Sequence, residues 1–416
     1  MVKHLIIGCG PAALSAVEKI RSINREDEIR LVSNEGCLPY SPAALPYLVS
    51  GRLKERDIYV RDREYFKTLN VDFESGKEVV QVFPEQKSLL YRDGEEDDYD
   101  TLLIATGAGP APLPGDEPAR ENILKFRTLN DYFSLRRLLT KGKEVAILGA
   151  GMVAMELALA LVERGNKVQV IGRGRPLRSY FDEKPGAYIR EIFLEKGVRI
   201  ETGREIKGVE TRNQKIKIHC SGCDYFESDL LVACLGVEAR KSFLSGSGIQ
   251  MGEGILVDSR MMTNLDGVYA AGDVVETPDY FHRTPGMSAV IPSALAQGSV
   301  AGSNMAKTEA GYEGWIAMNI FNMFGNLGCS IGMSANDDEG TECIEEEEDK
   351  KRYFKRLVLK DDRLVGAMFL NADVMPGAIR YLIEKGIRVG GSKDELFMRT
   401  KETSCRLMLE AERKRT

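Results

Sequence analysis

The chain has 416 residues, a formal net charge of −6 and eight cysteines. That length accommodates roughly two or three domains with ordinary cores, and the mildly acidic balance gives no electrostatic reason to expect nucleic acid or an anionic membrane as a partner. No apolar run is long enough to cross a bilayer, a strand starting at residue 3 leaves no room for a signal peptide, and the cysteines are too sparse for a disulfide scaffold, which together point to the cytoplasm and to reduced thiols.

The chain opens on an apolar strand, Lys3-His4-Leu5-Ile6-Ile7, that runs into the turn Gly8-Cys9-Gly10-Pro11-Ala12-Ala13. A helix should follow, because Ala13, Leu14, Val17 and Ile20 fall on one face at helical spacing. Strand, glycine turn and helix start together form a site where backbone N–H groups hold a pyrophosphate. A second strand, Glu28 to Val32, comes at the distance of a βαβ unit, and Glu35 is the nearest carboxylate able to accept from a ribose hydroxyl. An exposed loop glutamate is the alternative there. The buried strand Tyr99 to Ile104 then runs into the small-residue turn Ala105-Thr106-Gly107, and Pro110, Pro112, Pro114 and Gly115 make a stiff, non-helical connector that reads as a domain boundary.

The pattern then repeats. Glu144-Val145-Ala146-Ile147-Leu148 leads into Gly149-Ala150-Gly151-Met152-Val153-Ala154, a second phosphate turn, and the strand Lys167 to Ile171 follows. After that strand a ribose-binding acid would mark NAD, whereas arginines would suit the 2′-phosphate of NADP; here there is no acid, and Arg173, Arg175 and Arg178 are available. A solvated basic loop is the other reading, and the lean to NADP is slight. An alternating hairpin is expected at Lys215 to Cys220 and Phe226 to Cys234, ending in Leu235-Gly236. Further on, Asp266-Gly267-Val268-Tyr269-Ala270-Ala271-Gly272-Asp273 is a strand ending in Gly-Asp, where the carboxylate either binds hydroxyls of a cofactor chain or caps a helix. Ile291-Pro292-Ser293 reads as a helix start, with proline where its missing N–H costs nothing. Strands at Tyr353 to Leu359 and Arg363 to Leu370 and a helix at Ala378 to Lys385 follow; the acidic run Glu345 to Glu348 reads as a solvated loop, and the tail from Lys401 as an exposed or docked helix.

The order of glycine turn, Ala-Thr-Gly strand, second glycine turn and Ala-Ala-Gly-Asp strand resembles the FAD- and NAD(P)-dependent pyridine nucleotide-disulfide oxidoreductases over nearly the whole chain, and the last third is similar to the C-terminal domain of rubredoxin reductases. The resemblance implies an α/β fold with two Rossmann-like dinucleotide-binding domains, the NAD(P) domain (residues 114–238) inserted in a split FAD domain (1–113 and 239–313), and an α+β C-terminal domain (314–416) for dimerisation or partner docking. It implies that Gly8, Gly10, Pro11, Ala12 and Ala13 hold the FAD pyrophosphate, that Glu35 sits by its adenosine ribose and Asp273, after Gly272, by its ribityl chain. Ala105, Thr106, Gly107 and Gly236 would line the cofactors. Gly149, Gly151, Met152, Val153 and Ala154 would hold the NAD(P)H pyrophosphate, Glu156 would lie near the nicotinamide, and Arg173 and Arg178 near the ribose. The helix at Pro292 and Ser293 would point its N-terminus at the flavin pyrimidine ring.

Disulfide-reducing members of that family carry a redox cysteine pair, and coenzyme A-disulfide reductases and NADH peroxidases a single cysteine in a Tyr-Ala-Asn-Cys-Gly-Leu-Pro-Tyr-like segment. This chain has Tyr40-Ser41-Pro42-Ala43-Ala44-Leu45-Pro46-Tyr47, with Ala43 in the nucleophile's place and Cys37 six residues earlier. An alanine forms no thiolate. The pair Cys220-Ser221-Gly222-Cys223, after His219, reads as a thiol-flanked turn, with a redox centre or half a zinc site as alternatives; no second CxxC exists and no metal is expected. The expectation is therefore flavin-centred chemistry without a catalytic cysteine: hydride passes between NAD(P)H and FAD, and single electrons between FAD and a rubredoxin, a ferredoxin or an iron-sulfur subunit, in either direction. A homodimer or a subunit of a hetero-oligomer is expected. A redox-sensing or structural FAD subunit with little turnover, and an oxygen-reducing NAD(P)H oxidase, are the alternatives.

Overall fold

A computed structural model describes residues 1–113, 121–212, 215–222, 225–334 and 340–414. Pro114 and Gly115 of the expected connector, and Cys223, lie outside the described residues.

In chain order, the elements that build the two parallel sheets are β1 (Lys3–Ile7), α1 (Pro11–Ile23), β2 (Glu28–Ser33), β3 (Val71–Ser75), β4 (Thr101–Ile104), β5 (Ile123–Lys125), α2 (Leu129–Leu138), β6 (Glu144–Leu148), α3 (Met152–Glu163), β7 (Lys167–Ile171), α4 (Glu183–Glu195), β8 (Arg199–Glu201), β9 (Leu230–Ala233), β10 (Val268–Ala270) and α5 (Ile291–Met305). The last third adds β11 (Met318–Met323), β12 (Asn326–Gly332), β13 (Glu342–Glu348), β14 (Tyr353–Lys360), β15 (Arg363–Leu370), α6 (Pro376–Glu384) and α7 (Thr400–Arg413). The chain divides into two compact units: Met1–Leu48, Leu53–Ala111 and Val237–Trp315 form unit 1, and Val49–Arg52, Pro112–Gly236 and Ile316–Thr416 form unit 2.

Unit 1 is built on a five-stranded parallel sheet of order β10-β4-β1-β2-β3. Its central strands read as unbroken apolar runs because helices cover both faces of such a sheet. α1 and α5 lie against each other at backbone contact. A Cβ on Gly298 would sit 2.1 Å from Ala12 O, and one on Gly302 would sit 2.6 Å from Ala16 O, so both α5 positions accept only glycine. Ile6, Ala13, Val17, Ile20, Leu31, Leu103 and Ala301 are fully buried in the core between sheet and helices.

Unit 2 repeats the arrangement in the order β8-β7-β6-β9-β5, again all parallel. Leu230–Ala233, expected to continue a hairpin, is instead β9 beside β6: its four residues are all buried, as two covered faces require, and the antiparallel hairpin ends at Ser228. The C-terminal stretch forms an antiparallel sheet, β11-β12-β15-β14-β13, with α6 packed on it. The acidic run is likewise not a loop. Glu345 to Glu348 lie in the edge strand β13, where Glu345 pairs with Arg356 and Glu346 with Lys355 across the ladder, Glu348 with Lys351, and Glu347 with Lys184 of α4.

Candidate functional site

Both glycine turns are built alike at their first glycine. Gly8 has φ +105° and Gly149 φ +107°; a Cβ on Gly8 would lie 2.2 Å from Ala105 O, and one on Gly149 would lie 2.2 Å from Cys234 O. The Gly8 N–H donates to Val32 O and the Gly149 N–H to Ile171 O, each at 2.8 Å. Only glycine adopts that φ cheaply with a carbonyl so near, so these two residues fix the turns. Each turn therefore sits against the strand end opposite it, Ala105 after β4 or Cys234 after β9.

The second glycine of each turn is different in kind. Gly10 caps α1 at φ −77° and Gly151 caps α3 at φ −81°, conformations open to any residue. A Cβ on Gly10 or Gly151 would meet nothing within 4 Å, and no side chain caps either helix. The protein itself gives no reason for glycine at these two places. A pyrophosphate approaching the uncapped helix ends does, because the first N–H groups of a helix lack intrahelical partners and carry partial positive charge. The residues fit a dinucleotide at each turn. In α1 the usable donors are Ala12 and Ala13, since Pro11 has no N–H; in α3 they are Met152, Val153 and Ala154.

Around the first turn, Glu35 follows β2 by two residues and its Oε2 accepts from Tyr40 Oη at 2.7 Å. Thr106 Oγ1 donates to Arg240 O at 2.8 Å, and Arg240 N donates to Gly107 O at 3.0 Å, tying residues 105–107 to the return segment. Gly272 takes φ +87° just after β10 and donates its N–H to the buried Gln297 Oε1 of α5 at 2.8 Å; Asp273 beside it is half-buried. Pro292 occupies the first turn of α5, and the hydroxyl of buried Ser293 is bonded to Ser288 Oγ at 3.2 Å.

Around the second turn, Glu156 is half-buried on α3 and makes no hydrogen bond or ion pair among the described residues; desolvation pushes its carboxyl up to about 7. Leu177, buried at φ +54°, donates its N–H to Ala150 O at 2.8 Å and so pins the arginine loop onto the turn. Arg173 and Arg178 are exposed on that loop. Arg175 is not: its Nη1 is buried without a partner beside Gly186, and burial lowers its pKa. Gly236 has φ +116° with open space where a Cβ would be.

The thiols in these units are poor candidates for chemistry. Burial pushes Cys234 up to about 12 and Cys37 to about 11, and raises Cys9, whose Sγ contacts Ser33 Oγ at 3.3 Å. Cys220 is buried in the hairpin and His219 lies on its other face, 3.4 Å from Glu210. Among the described residues no group of His, Cys, Asp or Glu could hold a metal ion, and no helix is long and apolar enough to cross a membrane.

Residues 2–298 match the family model described as pyridine nucleotide-disulphide oxidoreductase. The chain belongs to that family. Residues 318–387 match a second model, the rubredoxin NAD+ reductase C-terminal domain. Among curated proteins, the chain is 33% identical over 386 residues to the NADH-dependent phenylglyoxylate dehydrogenase subunit epsilon of Aromatoleum evansii, covering 92% of this chain and 91% of that protein. It is 28% identical to an NADH oxidase of Methanocaldococcus jannaschii over 74% of this chain and 71% of that one. Among solved structures, the fold matches a chain of the covalent putidaredoxin reductase–putidaredoxin complex at TM-score 0.86, with 21% identity, 96% of this chain and 99% of that one covered. The protein is accordingly an FAD-dependent NAD(P)H oxidoreductase.

Sequence reasoning did not find three of the groups that shape these turns: Gln297, which orients Gly272; the Gly298 and Gly302 pair, which seats α5 on α1; and Tyr40, the partner of Glu35. Glycines four apart on a helix carry a readable signal for close helix packing, whereas the other two depend on tertiary contacts that spacing does not reveal.

Proposed function

We propose that the chain is an electron-transfer reductase that connects NAD(P)H to an iron-sulfur or rubredoxin-type protein, with no sulfur relay in between, and that it works as a subunit or docking partner of that protein. The observation that carries this reading is the pair of second glycines, Gly10 and Gly151, which nothing in the protein requires and which two dinucleotides would. The rubredoxin-type C-terminal domain and a relative named as a dehydrogenase subunit support a protein partner. Ala43 in the place of a nucleophile, and thiols raised well above neutral, support the missing relay.

In this reading bound FAD supplies the switch between two-electron exchange with a nicotinamide and one-electron exchange with an iron centre. The chain's own residues position and insulate. The α1 turn (Gly8, Gly10, Pro11, Ala12, Ala13) holds the FAD pyrophosphate, Glu35 takes its ribose hydroxyl in exchange for Tyr40, and Asp273 takes hydroxyls of the ribityl chain. Residues Ala105 to Gly107 and the first turn of α5, at Pro292 and Ser293, bring backbone dipoles toward the flavin. The α3 turn (Gly149, Gly151, Met152, Val153) and Gly236 take NAD(P)H, Glu156 meets the nicotinamide end, and Arg173 and Arg178 meet a 2′-phosphate. An oxygen-reducing oxidase is the second reading, favoured by the relative named NADH oxidase.

Stopped-flow mixing with NADH and with NADPH separates these readings. Rapid bleaching of the flavin followed by slow reoxidation in air is the expected result. Fast reoxidation in air would make the protein an oxidase, and no bleaching would make it a scaffold.

A further inference from the structure

Unit 2 contains a cavity of about 360 Å³ that belongs to neither glycine turn. It lies where α2 and α3 end. Leu135 and Arg136 come from the last turn of α2, Leu139 and Lys141 from the residues after it, and Arg164 and Asn166 from the residues after α3. Gly151 caps the other end of α3, and 12 residues of helix put the two ends about 18 Å apart at 1.5 Å per residue.

Arg136, Lys141 and Arg164 make no ion pair or side-chain hydrogen bond among the described residues. Glu163, the carboxylate beside Arg164 in sequence, is paired with Arg52, and Glu121 is paired with Arg137. Cations at helix C-termini offset the partial negative charge there, but two helix ends carry only about one negative charge between them. Against three full positive charges, about two remain uncompensated. Asn166 closes the inner wall at 7% exposure, its amide donating to Leu161 O at 3.2 Å.

We infer that this cavity binds an organic phosphate monoester. Such a group carries about −1.5 to −2 charge at pH 7, matching the surplus left by Arg136, Lys141 and Arg164. Tyr132 and Leu139 give its body an apolar wall. The volume lies near the lower end of the about 300–1,000 Å³ typical of small-molecule sites.

The test uses the full-length FAD-loaded protein, saturated with NAD+, which carries no phosphate monoester, so that the nicotinamide site is filled, and titrated calorimetrically with AMP. One AMP per chain is expected. Affinity should fall at least tenfold in Arg136→Glu/Arg164→Glu, and equally in Leu139→Trp, which fills the cavity without touching charge. In the wild-type protein it should also fall several-fold as pH drops through about 6, where the dianion takes up a proton. No AMP binding under saturation, or an affinity indifferent to both variants and to pH, would overturn the site. Inorganic phosphate binding as tightly as AMP would overturn the organic body.

Discussion

The two glycine-turn units differ most in how they close, not in how they turn. Around β1 and β6 the parallel neighbours correspond, β2 with β7, β3 with β8 and β4 with β9. The outermost strand is where they part: β5 precedes its glycine turn in the chain, whereas β10 arrives in unit 1 only after the whole parallel sheet of unit 2 has been traversed. The first turn is thus completed by a late segment, and α5 brings with it Gln297, Gly298 and Gly302, each in contact with groups at or near the first turn. Among the described residues the second turn has no counterpart of this clamp. Instead α3 offers an extra N–H in place of Pro11's missing one, and a lone desolvated carboxylate, Glu156. A permanently held cofactor suits the clamped turn, and an exchanging one suits the turn built from contiguous chain.

The comparison is easiest to break at the shared feature. Gly8→Ala and Gly149→Ala each force a Cβ to 2.2 Å from a carbonyl at positive φ, so each should destabilise its unit by about 2–5 kcal/mol, read as lost soluble yield or a lowered Tm. If either variant keeps wild-type stability, the turn geometry is wrong.

The second glycines should separate stability from binding. Serine is a good N-cap, so Gly10→Ser and Gly151→Ser should leave the cofactor-free protein as stable as before or slightly more so. Gly10→Ser should nonetheless purify without its yellow colour, while Gly151→Ser should keep FAD and show a KM for NAD(P)H raised at least tenfold. Loss of the same cofactor in both variants would erase the distinction between the turns.

Smaller effects sharpen the second turn alone. Arg178→Ala should raise the KM for NADPH about tenfold or more and leave that for NADH nearly unchanged, the size expected for one charge-assisted contact; equal changes would reduce the loop to surface charge. Glu156 is raised from 4.5 to about 7 in the folded chain, so its contribution to stability is fully present below about 4.5 and lost as pH rises through about 7. Glu156→Gln removes that loss. The Tm of the variant relative to wild type should therefore climb between pH 4.5 and 7 and stay level above; a flat difference would mean that the carboxyl is not desolvated.

Much of this was legible in the sequence because both turns rest on short-range rules. A strand, two glycines two apart and an apolar helix lie within one 20-residue window, and Gly8 and Gly149 take the positive φ that the turn between strand and helix needs. What spacing could not show was long-range. Leu230–Ala233 reads as a hairpin arm by proximity to Phe226, yet its four apolar residues belong to a sheet buried on both faces. Glu345 to Glu348 read as a loop by charge, yet Arg356, Lys355 and Lys184 supply the counter-charges that let them form an edge strand. Arg175, one of three similar arginines in the sequence, is turned inward by its approach to Gly186.

The claim on which the account depends is that one chain carries two dinucleotides and no further two-electron store. Anaerobic titration of the FAD-loaded protein with NADH or NADPH, followed at the flavin absorbance, measures this directly. Full bleaching at one equivalent of NAD(P)H per flavin is the predicted result. An end point at two equivalents would reveal a redox-active sulfur pair and contradict it, as would a flavin that does not bleach with either nucleotide.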